Sequence, residues 1–208
     1  MKKILSDYDK QEYLRIAKHE VGHYVANRTF NVIPDKIIFT YKPENGGNYI
    51  GGCQVTFCTA FESFDEIAEY CFQKSIVLVC GALAGALDDK TKKVDLDSAK
   101  TRFKEYEVSD KAKLEENIKI HLGTNAKFFE ENDITDAYNY TIEKIWSEGK
   151  RIVEENADII IGFGNRLKQE IFDHFGEVID FPHTEIKKMK PITDKFGDAD
   201  PDIPEIPS

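Results

Sequence analysis

"KHEVGHYVA", residues 18–26, is the stretch on which the reading of this chain turns. Leu14, Ala17, Val21, Tyr24 and Val25 recur at steps of three and four, so residues 9–28 are expected to form an amphipathic helix with these side chains on its core face. His19, Glu20 and His23 fall on a neighbouring stripe of that helix. Positions i and i+4 stack one turn apart, so the two imidazoles lie one above the other. Gly22, between Glu20 and His23, leaves the helix free to pack tightly against another element.

Working outward, Pro34 closes this region and "DKIIFTYK" (35–42) reads as a strand. The turn-rich "PENGGNYIGG" and a second strand through "CQVTF" (53–57) complete a β-hairpin with a long tip. "SFDE" (63–66) spells a capping box that opens a helix running to about Leu87. On it, Gly81 and Gly85 with Ala82, Ala84 and Ala86 make a small-residue face that lets another helix come close. The polar "DDKTKK" (88–93) separates this helix from another beginning near Asp95. Helical periodicity continues through 109–122, 134–156 and 157–176, with a short last helix from Thr184. The expected fold is mainly α with a small β-hairpin or sheet (α+β), one domain over residues 1–190. Residues 191–208 are acidic and proline-rich and are expected to be a disordered tail.

Composition narrows the partners. The chain has 208 residues, 41% hydrophobic and 32% charged, with a net charge of −10. An acidic surface repels phosphate backbones, which argues against nucleic acid. The opening "MKKILSDYDK" has no apolar run behind it, and "SIVLVCGALAGAL" (75–87) is too short to span a bilayer. A soluble cytoplasmic protein with no membrane contact is expected. Cys53, Cys58, Cys71 and Cys80 form no C-x-x-C pair and read as reduced, buried thiols.

The histidine pair carries the chemistry. Zn2+ takes neutral imidazole nitrogens at about 2.0–2.1 Å in a tetrahedral shell. Histidines one helical turn apart can converge on one ion without bending the backbone. Glu20 cannot bind it in the same way. Its carboxylate stands beside the ion, placed to take a proton from a metal-bound water and deliver it to a leaving amine. This is the H-E-x-x-H logic of zinc peptidases, although the string also arises by chance in a chain with five histidines. A third ligand is needed. His121, His174 and His183 each stand alone, whereas Asp95 follows a polar loop and opens a helix, where it can project towards a neighbour or simply cap the helix. Asp88, Asp89 and Asp97 are its rivals.

The stretch "HEVGHYVANRTFNVIPDKIIFTYKPENGGNYIGG" resembles the opening of the peptidase domain of the FtsH-type zinc metalloproteases, and "CGALAGALDDKTKKVDLDSAKTRF" is similar to that family's later helix, loop and aspartate segment. The resemblance implies His19, His23 and Asp95 as the zinc ligands and Glu20 as the catalytic base. Val21 stands where the family has alanine, "GALAGA" lacks its arginine and glutamate, and "KTKKV" replaces its approach to the aspartate. The sequence contains no G-x-x-x-x-G-K-[ST] phosphate loop and no transmembrane segment, so the expectation is a peptidase module standing alone, without ATP.

The function expected is therefore zinc-dependent hydrolysis of peptide bonds in flexible or partner-presented substrates, with an extended peptide added to the edge of the 35–57 hairpin. A homo-oligomer or a presenting partner is compatible with it. Tyr24, Asn27 and Tyr49 are the candidates for stabilising the oxyanion. Two other readings stay open: a different single-domain H-E-x-x-H peptidase, with a glutamate or histidine as third ligand, and a catalytically silent binding or regulatory module.

Overall fold

Two long helices set the architecture. Helix α1 (Asp7–Thr29) and helix α2 (Phe64–Gly85) lie against one another, and most of the remaining elements pack on this pair. The structure is a computed structural model that describes residues 6–43, 48–56 and 60–197. It is mainly helical with a small antiparallel sheet, as the sequence predicts.

Helix α1 starts two residues earlier than its periodicity indicates. Ser6 and Asp9 form a reciprocal capping box, the Ser6 side chain accepting from Asp9 N at 3.1 Å and Asp9 accepting from Ser6 N at 2.9 Å. From Ala17 to Arg28 every residue of α1 is buried, so this half of the helix has no solvated face. Helix α2 covers one side, helix α7 (Ala157–Asp173) another and the sheet a third. His19, Glu20 and His23 are thus interior residues, not occupants of a polar stripe. Leu14 is half-buried, and Tyr13 takes the buried place beside it.

Helix α2 begins after Ser63, whose side chain accepts from Glu66 N at 3.2 Å. The other half of the expected box is absent, since Glu66 accepts from Glu62 N instead. This 22-residue helix is long and apolar enough to cross a membrane by length and composition. Two-thirds of its most apolar window (67%) is buried between α1, helix α4 (Val108–Thr124) and helix α6 (Ala137–Glu155). Glycines set its distance from α1. A Cβ on Gly22 would meet the Cβ of Ala84 and the carbonyl oxygen of Cys80, each at 2.5 Å. At the C-terminal end of α2, buried Lys18 reaches across to the Leu87 carbonyl and to Asp89, a cation at the negative end of a helix.

The sheet has the order β2-β1-β3. Strand β1 (Lys36–Lys42) pairs with β2 (Asn48–Gln54) in the register Phe39 with Gly51, and with β3 (Ile179–Pro182) in the register Ile38 with Asp180. The second strand of the hairpin therefore lies earlier than expected. Asn48 to Gly52, read from composition as turn, are strand residues, because β1 supplies their hydrogen bonds and Tyr49 anchors them. The Tyr49 hydroxyl accepts from Gly176 N at 2.7 Å and donates to the His174 carbonyl at 3.1 Å. Strand β3 is an addition that its four residues gave no sign of. It is followed by α8 (His183–Ile186) and α9 (Lys190–Phe196), so the expected tail begins with a helical turn that buries Ile192. The remainder of that tail, and Cys58, lie outside the described residues. Helices α3 (Leu96–Glu105) and α5 (Ala126–Glu131) complete the chain.

Both atoms facing Gly22 belong to the packed interior, one of them to backbone, so neither can move cheaply. Gly22→Ala is expected to cost about 1–3 kcal/mol, read as a lower urea midpoint with an unchanged m-value.

Candidate metal centre

His19 and His23 project from α1 towards α2 and α4, where their rings meet edge to face. The space they occupy exists because position 81 is glycine. A Cβ there would stand 2.5 Å from His23 Nε2 and 2.7 Å from His19 Cε1. The two Nε2 atoms are 2.9 Å apart, and Asp110 Oδ2 lies 3.4 Å from that of His19 and 3.2 Å from that of His23. These three side chains form a group that could hold a metal ion. A tetrahedral ion with bonds of 2.0–2.1 Å separates its ligand atoms by about 3.3 Å, and the three observed separations bracket that figure.

Electrostatics fit the same description. Two buried imidazole nitrogens at 2.9 Å cannot both present bare lone pairs, so either a proton or a cation must stand between them. Burial alone would lower the His23 pKa, but the hydrogen bond and charge of Asp110 raise it to about 9. Burial alone would raise the Asp110 pKa, but the two histidines hold it well below the ordinary carboxylate range. A proton carries the charge in the metal-free state, and a divalent cation can replace it. The Nδ1 atom of His23 is 2.9 Å from the Val77 carbonyl. That bond needs the proton on Nδ1 and leaves Nε2 as the ligand atom. Among the described residues His19 Nδ1 is buried without a hydrogen-bond partner, and Glu107 Oε1 stands 3.6 Å from it.

Glu107 and Asp110 sit one turn apart at the start of α4, and an ion-pair network fixes that turn. Arg15 on α1 binds Glu12 at 2.7 Å and Glu107 at 3.3 Å, and Arg102 on α3 binds Glu12 at 3.0 Å. Three helices are thereby tied together beside the histidines.

Glu20 sits in a different environment from Asp110. It is only 5% exposed, and its carboxylate lies under strand β2, where a Cβ on Gly51 would be 2.5 Å from Oε1. Burial raises its pKa, partly offset by His19 and His23. His19, Glu20, His23, Glu107 and Asp110 face one cleft of about 700 Å³, walled by α1, α2, the start of α4 and residues Asn48–Cys53 of β2. Tyr8, Ile50, Tyr106 and Val108 rim it and are 74%, 50%, 67% and 72% exposed.

The sequence-predicted residues divide. His19, Glu20 and His23 come together as expected. Asp95 does not join them. It is the exposed N-cap of α3, its carboxylate accepting from Ser98 N at 3.0 Å, and the carboxylate beside the two histidines is that of Asp110. Among its rivals, Asp89 pairs with Lys18, Asp88 accepts from the Lys90 and Thr91 amides, and Asp97 is exposed in the first turn of α3. Asp110 was legible only as an acidic residue in a helix's first turn, where aspartate ordinarily serves the helix dipole. The oxyanion candidates are engaged elsewhere. Tyr24 meets His183 at 2.9 Å, Asn27 donates to the His23 carbonyl, and Tyr49 is held by the backbone near Gly176. Cys53, Cys71 and Cys80 are free thiols, and burial pushes the pKa of each upwards.

Two outcomes are expected. Asp110→Ala weakens zinc binding by at least about tenfold, whereas Asp95→Ala leaves the zinc Kd unchanged and costs about 1 kcal/mol of stability as a lost cap; calorimetric titration and urea unfolding of both variants check this. The His23 pKa, raised above its ordinary value of 6.5 to about 9, stabilises the metal-free protein fully below pH 6.5, and that contribution is lost as pH rises through about 9. The ion displaces that proton, so zinc affinity should climb by about tenfold per pH unit below pH 9, with proton release measurable in buffers of differing ionisation enthalpy.

No protein-family model matches this chain, and comparison with curated proteins and with solved structures likewise finds no match. The FtsH-type resemblance therefore rests on the quoted residues alone.

Proposed function

We propose that this protein is a zinc-dependent peptidase in which His19, His23 and Asp110 hold the ion and Glu20 moves the proton. The observation that carries this reading is the meeting of the H-E-x-x-H side chains with a carboxylate from a distant helix, in a cleft walled by an edge strand. When bound, the ion supplies a Lewis acid that polarises a peptide carbonyl and acidifies water at neutral pH.

The chain's own groups account for the rest. Glu20 has no hydrogen-bond partner among the described residues, so its oxygens are free to accept a proton from water. Its raised pKa brings that acceptor nearer to neutrality, where a group can both take and return a proton. The water oxygen forms the new bond to the carbonyl carbon, the carbon–nitrogen bond breaks, and Glu20 passes the proton to the departing amine. Asp110 cannot share this role, because the histidines hold it ionised. Among the described residues strand β2 is the outer strand of its sheet, and an outer strand suits the backbone of an extended substrate. The missing side chain at Gly51 leaves room for the Glu20 carboxylate directly beneath this strand. The apolar rim of Tyr8, Ile50, Tyr106 and Val108 suits a flexible segment bearing large side chains.

Between the two peptidase readings open in the sequence, the position of Asp110 favours a single-domain enzyme with a third ligand other than Asp95. That ligand is an aspartate on α4, not the glutamate or histidine such a reading names.

Glu20→Gln is expected to retain zinc at wild-type stoichiometry and to lose cleavage of unstructured casein by about 10²–10⁴-fold. Zinc-loaded wild-type protein that leaves casein and a mixed peptide pool intact would reject the peptidase reading.

A further inference from the structure

The cleft holds a second feature that the proton chemistry does not use. Lys74 on α2 and Lys113 on α4 both line it. Lys74 lies three residues before Val77, whose carbonyl holds His23, and Lys113 lies three residues after Asp110. One helical turn is about 5.4 Å, so Lys113 stands one turn from Asp110 of the metal group and Lys74 one turn from the residue whose carbonyl holds His23. Lys74 is half-buried and within electrostatic reach of Lys113, Asp110 and Cys53, which places it between α4 and strand β2.

Among the described residues neither ammonium has an ion-pair or hydrogen-bond partner. The other cations around the site do. Arg15 and Arg102 bind Glu12, and Lys18 binds Asp89. Carboxylates are not scarce, with 38 acidic against 28 basic residues. Partly removing a charge from water without pairing it is costly, and bringing a second cation near adds repulsion. An arriving anion relieves both. Asp110 does not fill that role, because its oxygen is directed at the two histidines.

The geometry points to a carboxylate-recognising subsite formed by Lys74 and Lys113, so that the preferred substrate is a peptide presenting a carboxylate one helical turn from the metal group. The carboxylate is either the peptide's own C-terminus or an Asp or Glu side chain. This inference rests on the peptidase reading for the identity of its ligand, and a binding measurement separates the two.

Fluorescein-labelled hexapeptides in two matched series, free acid against C-terminal amide and interior Asp against Asn, are titrated with zinc-loaded full-length Glu20→Gln protein by fluorescence anisotropy. One series should show about tenfold or more tighter binding of the charged member. Preference for the acid over the amide assigns the C-terminus, and preference for Asp over Asn assigns a side chain. Lys74→Gln or Lys113→Gln in the same background should remove the preference, while Lys74→Arg should keep most of it. Lys113 is exposed, so its variant tests the subsite even if substitution of half-buried Lys74 disturbs folding. Equal binding within both series, a preference that survives both glutamine variants, or no peptide binding at all would overturn the inference. Cleavage by the wild type without carboxylate preference would leave the peptidase reading standing and remove the subsite. Carboxylate-dependent binding with no cleavage by the wild type would do the reverse.

Discussion

The close approach of α1 to α2 is the constraint on which the site depends. It requires Gly22 on one helix, opposite Ala84 and the Cys80 carbonyl, and Gly81 on the other, opposite the two imidazoles. Because the rings of His19 and His23 occupy the place where a side chain on Gly81 would stand, they lie directly against the backbone of α2. Glycine in a helix interior costs about 1 kcal/mol relative to alanine. That cost is offset here by the contact it permits, which buries the pair and puts the Val77 carbonyl on His23 Nδ1.

Burial then does the electrostatic work. In water, two histidines and an aspartate would titrate almost independently. Held within 3.4 Å in the interior, the two imidazoles need a proton or a cation between their facing nitrogens, and the Asp110 carboxylate beside them favours either. Glu20 and Asp110 show how much environment decides. Asp110 faces both imidazoles and is kept ionised, while Glu20, beneath a strand, is pushed towards the neutral form. Two carboxylates lining one cleft are thereby driven in opposite directions, one towards the ionised and one towards the neutral form. The Glu12–Arg15–Glu107 network gives the arrangement a rigid flank, fixing the turn of α4 from which Asp110 projects.

Local signals read well wherever one element carried them. The capping residues Ser63 and Asp95 start α2 and α3 as their sequences indicate, and the long helices follow their apolar spacing. Signals failed where a partner element supplied what the segment lacked. Asn48–Gly52 has the composition of a turn and becomes a strand because β1 pairs with it and the backbone near Gly176 holds Tyr49. Strand β3 exists only as the third member of a sheet already begun.

The same division runs through the candidate site. The sequence by itself determined the pair of imidazoles and the intervening glutamate, since helical spacing places them on one face whatever surrounds them. It also determined that Gly81 would admit a neighbour, though not that the neighbour would be those rings. Only the tertiary structure decided which carboxylate joins them. Asp95 and Asp110 both open helices and look alike in one dimension; one folds back onto its own Ser98 amide, and the other is carried to the histidines by the packing of α4 on α2. A helix fixes the direction of its side chains relative to its own axis, and only the contacts between helices fix where that axis lies.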